Sequence, residues 1–272
     1  MSIFYVPAGM SFAESIATGL YDKRIGNAFT VHKFGNAASI DSGDPPCTIW
    51  DGCCEALSIP KIANYTYSSS ANITDISSSS PADTQPIEVQ GLDANWNLTL
   101  QTIVLQGTAT VTLETPLIRV FRMINRGSVN GDGDVFLTTT GAARTDGKPT
   151  VGSTVRAIIK MGDNQTQMAL FTVPEGYTMF IDHAWSSLSR TNSGSSVRMQ
   201  IFRREFGGVF RVVHTMSLVS EGSNSDHRPY TTPIPFKSRE DIIYKVTYAN
   251  TNNMGCSAGF HAYLLENSRL PT

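Results

Sequence analysis

From Pro86 onward the chain breaks into short runs in which β-branched and aromatic residues alternate with polar ones, each closed by turn residues after roughly ten positions. A period of two repeated this often, without intervening helical stretches, predicts a mainly β fold of two antiparallel β-sandwich or jelly-roll units rather than an α/β enzyme. Leu100 to Gln106, the Gly107-Thr108 turn, and Ala109, Val111 and Leu113 read as a hairpin. Ile118, Val120 and Ile124 share the inner face of the next strand, with Arg119 directed away from it. Val197, Met199 and Ile201 alternate with Arg198, Gln200 and Phe202 before Gly207-Gly208 turns the chain into Val209 to Met216, the clearest hairpin in the sequence. Thr145-Asp-Gly-Lys-Pro149 is a strong turn, and it divides the β region into units at 86–148 and 149–272.

Residues 1–85 read differently. Ser11 and Glu14 form a capping box, and Phe12, Ile16 and Leu20 then fall on one face, so a short helix is expected between residues 9 and 24. Two or three turns are not stable alone; the helix must dock on the protein's own body or on a neighbouring subunit. From Phe29 to Asp83, Asp44-Pro-Pro, Ile59-Pro and the serine runs at 68–70 and 77–80 leave little regular pattern. An extended arm ordered by a partner accounts for such a stretch better than a long loop inside a compact domain.

Charged residues make up 16% of the chain and the formal net charge is −2, so no basic field invites nucleic acid. No segment approaches the roughly 18 to 20 apolar residues of a membrane span. The N-terminus has no basic region, long apolar run or small-residue cleavage site, which points to synthesis in a cytoplasm. Gly131 and Gly133 lie in a polar turn without a following Lys-Ser/Thr, and no GxSxG motif is present. His32, His183, His214, His227 and His261 show no metal-ligand spacing. Asn130, Asp132 and Asp134 have the spacing that opens a calcium loop, but Val135 and Gly141 stand where that loop needs Gly and Glu, which favours a tight polar turn. Neither enzymatic activity nor a cofactor is expected.

The segment CTIWDGCCEA holds Cys47, Cys53 and Cys54, and Cys256 is far along the chain. No CxxC pair occurs, and vicinal Cys53 and Cys54 suit one metal ion poorly. Three readings stay open: inert small residues, a disulfide within or between chains, or metal and redox chemistry.

Several blocks in order carry a resemblance: Thr30-Val-His-Lys-Phe-Gly35, Ile49-Trp-Asp-Gly52, Ser77 to Thr84, Gly91-Leu-Asp-Ala-Asn95, Leu105-Gln-Gly-Thr108 with Thr112, and Thr172-Val-Pro-Glu-Gly176. Together they resemble a family of tailed-bacteriophage virion structural proteins, similar in build to capsid cement or decoration proteins. The resemblance implies a β-sandwich body, commonly trimeric, in the virion and made in the host bacterial cytoplasm. It also implies an N-terminal arm that contacts the major capsid protein or other virion proteins, and it brings no catalytic residues. A tail, neck or collar component with the same body, or a carbohydrate- or receptor-binding module using the C-terminal sandwich, is the alternative reading. Phe12, Ile16, Leu20, Trp50 and Asp51 are then expected on the interacting arm. Cys53 and Cys54 stand where family members tend to carry glycine, a departure that matters if the backbone there is glycine-specific.

Overall fold

The alternating runs form antiparallel ladders throughout the part of the chain that a computed structural model describes, residues 12–21, 28–53, 57–189, 194–220 and 224–267. Helix α1 (Phe12–Tyr21) is followed by β1 (Ala28–Ile40), β2 (Cys47–Thr48), β3 (Ile73–Ser78), β4 (Pro86–Leu92), β5 (Leu98–Val104), β6 (Val111–Leu117) and β7 (Arg119–Asn125). Then come β8 (Val135–Thr139), β9 (Arg144–Thr145), β10 (Lys148–Pro149), β11 (Val155–Ile159), β12 (Leu170–Thr172) and β13 (Tyr177–Ser189). The chain finishes with β14 (Ser196–Arg204), β15 (Arg211–Val219), β16 (Ser225–Phe236), β17 (Asp241–Ala249) and β18 (Met254–Glu266).

These strands make two sandwiches. In the first, a sheet of order β11-β8-β3-β6 packs on one of order β5-β4-β7. In the second, β1-β18-β13-β16 packs on β12-β17-β14-β15, with β2 added beside β17. Alternate residues of facing strands fill the core, as sandwich geometry requires. One hydrophobic cluster runs through both, from Ile73, Val89 and Phe136 to Met199, Tyr244 and Phe260. The β14–β15 hairpin forms as its alternation predicts, with Val197, Met199 and Ile201 buried and Gly207 at φ 75° in the turn.

Three expectations are corrected. The region read as an extended arm contributes three strands to the sheets, joined by irregular segments: β1 pairs along β18 from Ala28↔Leu265 to Ile40↔Met254, β2 pairs with β17, and β3 lies between β8 and β6. Strands also pair across the boundaries expected at 85/86 and 148/149, since β3 and β11 both join β8. The hairpin expected around Gly107-Thr108 does not form, because β5 and β6 belong to different sheets and only Gln106 and Ala109 bridge. Gly107, at φ 59°, carries the chain from one sheet to the other with a Cβ position only 2.5 Å from the Pro81 carbonyl oxygen, so glycine is required there.

The β3 run Ile73-Thr-Asp-Ile-Ser-Ser78 is buried at every position, and its polar groups are satisfied inside the sandwich. Ser77 Oγ donates to the Gly147 carbonyl at 2.7 Å and accepts from Arg144 Nε at 2.9 Å, and Asp75 accepts from the Gly141 N–H at 2.8 Å. Helix α1 docks on the protein's own body: Ile16 is buried against Phe180 and Leu265. Their neighbours Met179, Ile181 and Leu264 belong to the main core, so Ile16 covers the opposite, outward face of the sheet. The side chains of Phe12 and Leu20, and Ser11 of the expected capping box, lie outside the described residues.

Candidate functional site

The junction between the sandwiches is built on a buried ion pair. Strand β7 does direct Arg119 away from the face of Val120, but the second sandwich covers it there, leaving it 1% exposed. Its Nε and Nη2 donate to the two carboxylate oxygens of Asp241 on β17 at 2.8 and 3.0 Å, a bidentate geometry. Nη1 donates to the carbonyls of Ser68 and Ile118. Asp241 also accepts from Thr172 Oγ1 at 2.6 Å and Arg204 Nε at 2.9 Å. The rings of Tyr67 and Trp96 lie 4.9 and 5.1 Å from the Arg119 guanidinium, so cation–π contact adds to the charge-assisted bonds.

A second buried carboxylate organises the Asn130–Asp134 turn. Asp83 accepts from the N–H groups of Asp132 and Gly133 at 2.8 and 3.1 Å, from Gln85 Nε2 at 3.1 Å, and from the Ser78 hydroxyl. Asp134 accepts from the N–H groups of Ser58 and Met161 at 2.7 and 2.9 Å. The N–H groups of Asp132 and Gly133 thus converge on a carboxylate of the protein itself, and that of Asp134 donates to Ser79 Oγ at 2.9 Å. Among the described residues no group of three or more His, Cys, Asp or Glu side chains is arranged to hold a metal ion.

Trp50 and Asp51, expected on a partner-gripping arm, are interior residues. Trp50 donates from Nε1 to the Ile62 carbonyl at 3.0 Å and packs edge-on against Tyr65. Asp51 accepts from the Gln167 N–H at 2.5 Å, and burial pushes its carboxyl well above the usual carboxylate range. A Cβ on Gly52 would lie 2.1 Å from the Trp50 indole, which explains glycine at that position. Cys53 follows in the same short turn without a positive φ, so its backbone does not demand glycine.

Cys47, Cys53 and Cys256 are all fully buried, and Cys54 lies outside the described residues. A hydrogen bond with Cys53, reinforced by burial, pushes the Cys47 thiol up, and burial pushes Cys256 up to about 12. Such thiols stay protonated and weakly reactive. A covalent bond from any of these three to another chain requires the fold to open.

Four of the five histidines form a row across the outward face of the β1-β18-β13-β16 sheet. His32 and His261 are direct cross-strand partners with ring centroids 4.4 Å apart, and His261 is also the partner of His183 at 6.3 Å. His227 lies 5.9 Å beyond His183. Each comes from a different strand, so no spacing in the sequence announces the row.

His32 is held below the ordinary imidazole range first by burial and then by His261 on β18, Arg122 on β7 and Lys33 on its own strand. His214, outside the row, is lowered in the same direction by burial. An imidazole that stays neutral in the fold but protonates on unfolding contributes stability that is present above about pH 6.5 and lost as pH falls through the folded value. The thermal midpoint is therefore expected to fall between about pH 7 and about pH 5. The fall should shrink in His32→Gln; one of unchanged size would exclude His32 as a source. Glu88, held low by hydrogen bonds from Arg126, acts in a separate window near the carboxylate range.

The described fold defines an antiparallel double-sandwich protein. No family model and no curated protein matches the chain. Among solved structures it is similar to the infectious bursal disease virus VP2 subviral particle, at 11% identity over 91% of this chain and 74% of that one, with a TM-score of 0.24. It is also similar to the infectious bursal disease virus Gt strain, at 12% identity over 89% and 73%, with a TM-score of 0.23. Among the described residues no helix is long and apolar enough to cross a membrane.

Proposed function

We propose that the chain is a non-enzymatic structural protein of a virion, a decoration or cement subunit that joins the capsid shell as a homo-oligomer, with a trimer as the expected state. The resemblance of its sequence blocks to tailed-phage virion proteins supports the class. The observation that carries assembly is the outward side of β5, where Leu98, Leu100 and Val104 are 50%, 65% and 57% exposed on one edge strand of a sheet. Three apolar side chains on one exposed strand face, interrupted only by Thr102, are a surface awaiting cover. The carboxylates at the junction and at the Asn130–Asp134 turn, by contrast, already bind partners within the chain. With β1, β2 and β3 built into the two sandwiches, this face is the better candidate for contact with the shell.

Leu100→Lys is expected to leave the unfolding midpoint within about 2 °C of the native value, because an exposed surface substitution costs little, while abolishing oligomerisation and attachment to shells. Full attachment of a Leu100→Lys protein would remove β5 from the contact. A tail, neck or collar component built on the same body differs from this reading in copy number.

A further inference from the structure

Between β1 and the outward face of the β5-β4-β7 sheet lies a cavity of about 470 Å³. Its walls are largely apolar, from Val31, Leu98, Leu100, Phe121, Phe171 and Leu264, and the Phe121 and Phe171 rings are 4.3 Å apart. Two basic side chains line it, Lys33 and Arg122, and no Asp or Glu does. Lys33 is buried and donates from Nζ to the Phe121 carbonyl; Arg122 donates from Nη2 to the His32 carbonyl at 3.1 Å. Among the described residues neither forms an ion pair. An ammonium has three donors and a guanidinium five, so both retain donors to spare.

The fold brings these like charges close enough to oppose each other. Asp51 acts on Lys33 in the opposite sense and Glu88 on Arg122, but Glu88 is already engaged by Arg126 and Gln90. Buried cations are ordinarily paired, and an apolar cavity with a few convergent polar groups is the usual form of a small-molecule site. We propose that this cavity binds a small amphipathic carboxylate, its headgroup between Lys33 and Arg122 and an unbranched tail of about ten carbons along Phe121, Phe171 and Leu264. Burial and Arg122 hold Lys33 down to about 7, so binding of the anion takes up a proton at neutral pH. His32 also borders the cavity, but it is held below its ordinary range and stays neutral above pH 7.

Sodium decanoate and decanol, titrated calorimetrically into the unassembled full chain, test this independently of the shell assignment. Decanoate is expected to bind at least about tenfold more tightly than decanol, and Lys33→Met and Arg122→Gln should each weaken it about tenfold while leaving decanol unchanged. Decanoate affinity should fall by up to about tenfold per pH unit above pH 7 in the native chain and stay flat in Lys33→Met. Equal binding of acid and alcohol, undiminished decanoate binding by folded Arg122→Gln, or no binding at millimolar decanoate would each overturn the proposal.

Discussion

Replacing Arg119 with Met is expected to destabilise the protein by about 3–5 kcal/mol, because it leaves Asp241 fully buried beside a neutral side chain. For a chain of this size that corresponds to a thermal midpoint lower by on the order of 10 °C. Arg204 still reaches Asp241 in the variant, from a less buried position, and tempers the loss. The carbonyls of Ser68 and Ile118 also lose their donor, and Tyr67 and Trp96 lose the cation they flank. Removing both charges together, as Arg119→Met with Asp241→Leu, should cost less than the sum of the two single changes, since neither partner is then left stranded. Thermal and urea unfolding of the four proteins in the cycle give the coupling. A single-variant loss below about 1 kcal/mol would mean that the junction is held by apolar packing alone.

Asp83→Ala is expected to cost about 3 kcal/mol or more, by a different route. No opposite charge is stranded; instead the N–H groups of Asp132 and Gly133 lose their acceptor inside the protein. The Ser78 hydroxyl and Gln85 amide lose one as well. The Gly107 N–H keeps its bond to the Asp83 backbone carbonyl, so the damage should centre on the 130–134 turn. Hydrogen exchange should show the amides of 132 and 133 opening before the β8 ladder does. Asp83→Asn keeps the shape and one acceptor oxygen and should cost less. Native-like protection at 132 and 133 in Asp83→Ala would show that the turn holds itself.

The difference between legible and illegible parts of this fold is one of range. The β14–β15 hairpin was legible because alternation and Gly207-Gly208 are local and agree. Strand β1 was not, because its partner β18 lies at the other end of the chain, and β3 was hidden by serines and an aspartate whose hydrogen bonds are supplied by Gly147, Arg144 and Gly141. Polar composition there belongs to a satisfied interior strand, although by itself it has the character of an extended arm. Arg119 could be assigned a side of its strand, but only the second sandwich makes that side an interior. The histidine row and the Lys33–Arg122 pair share this character: the first is assembled from separate strands by register and the second by the packing of one sandwich on the other, and no spacing in the sequence encodes either.

A copy-resolved density map of the intact particle tests the central claim, that this double sandwich is a repeated shell subunit. Hundreds of copies are expected over the capsid lattice, with Leu98, Leu100 and Val104 covered by a neighbouring subunit or the major capsid protein. A few copies confined to a single vertex or tail, or a β5 face open to solvent in every copy, would contradict it.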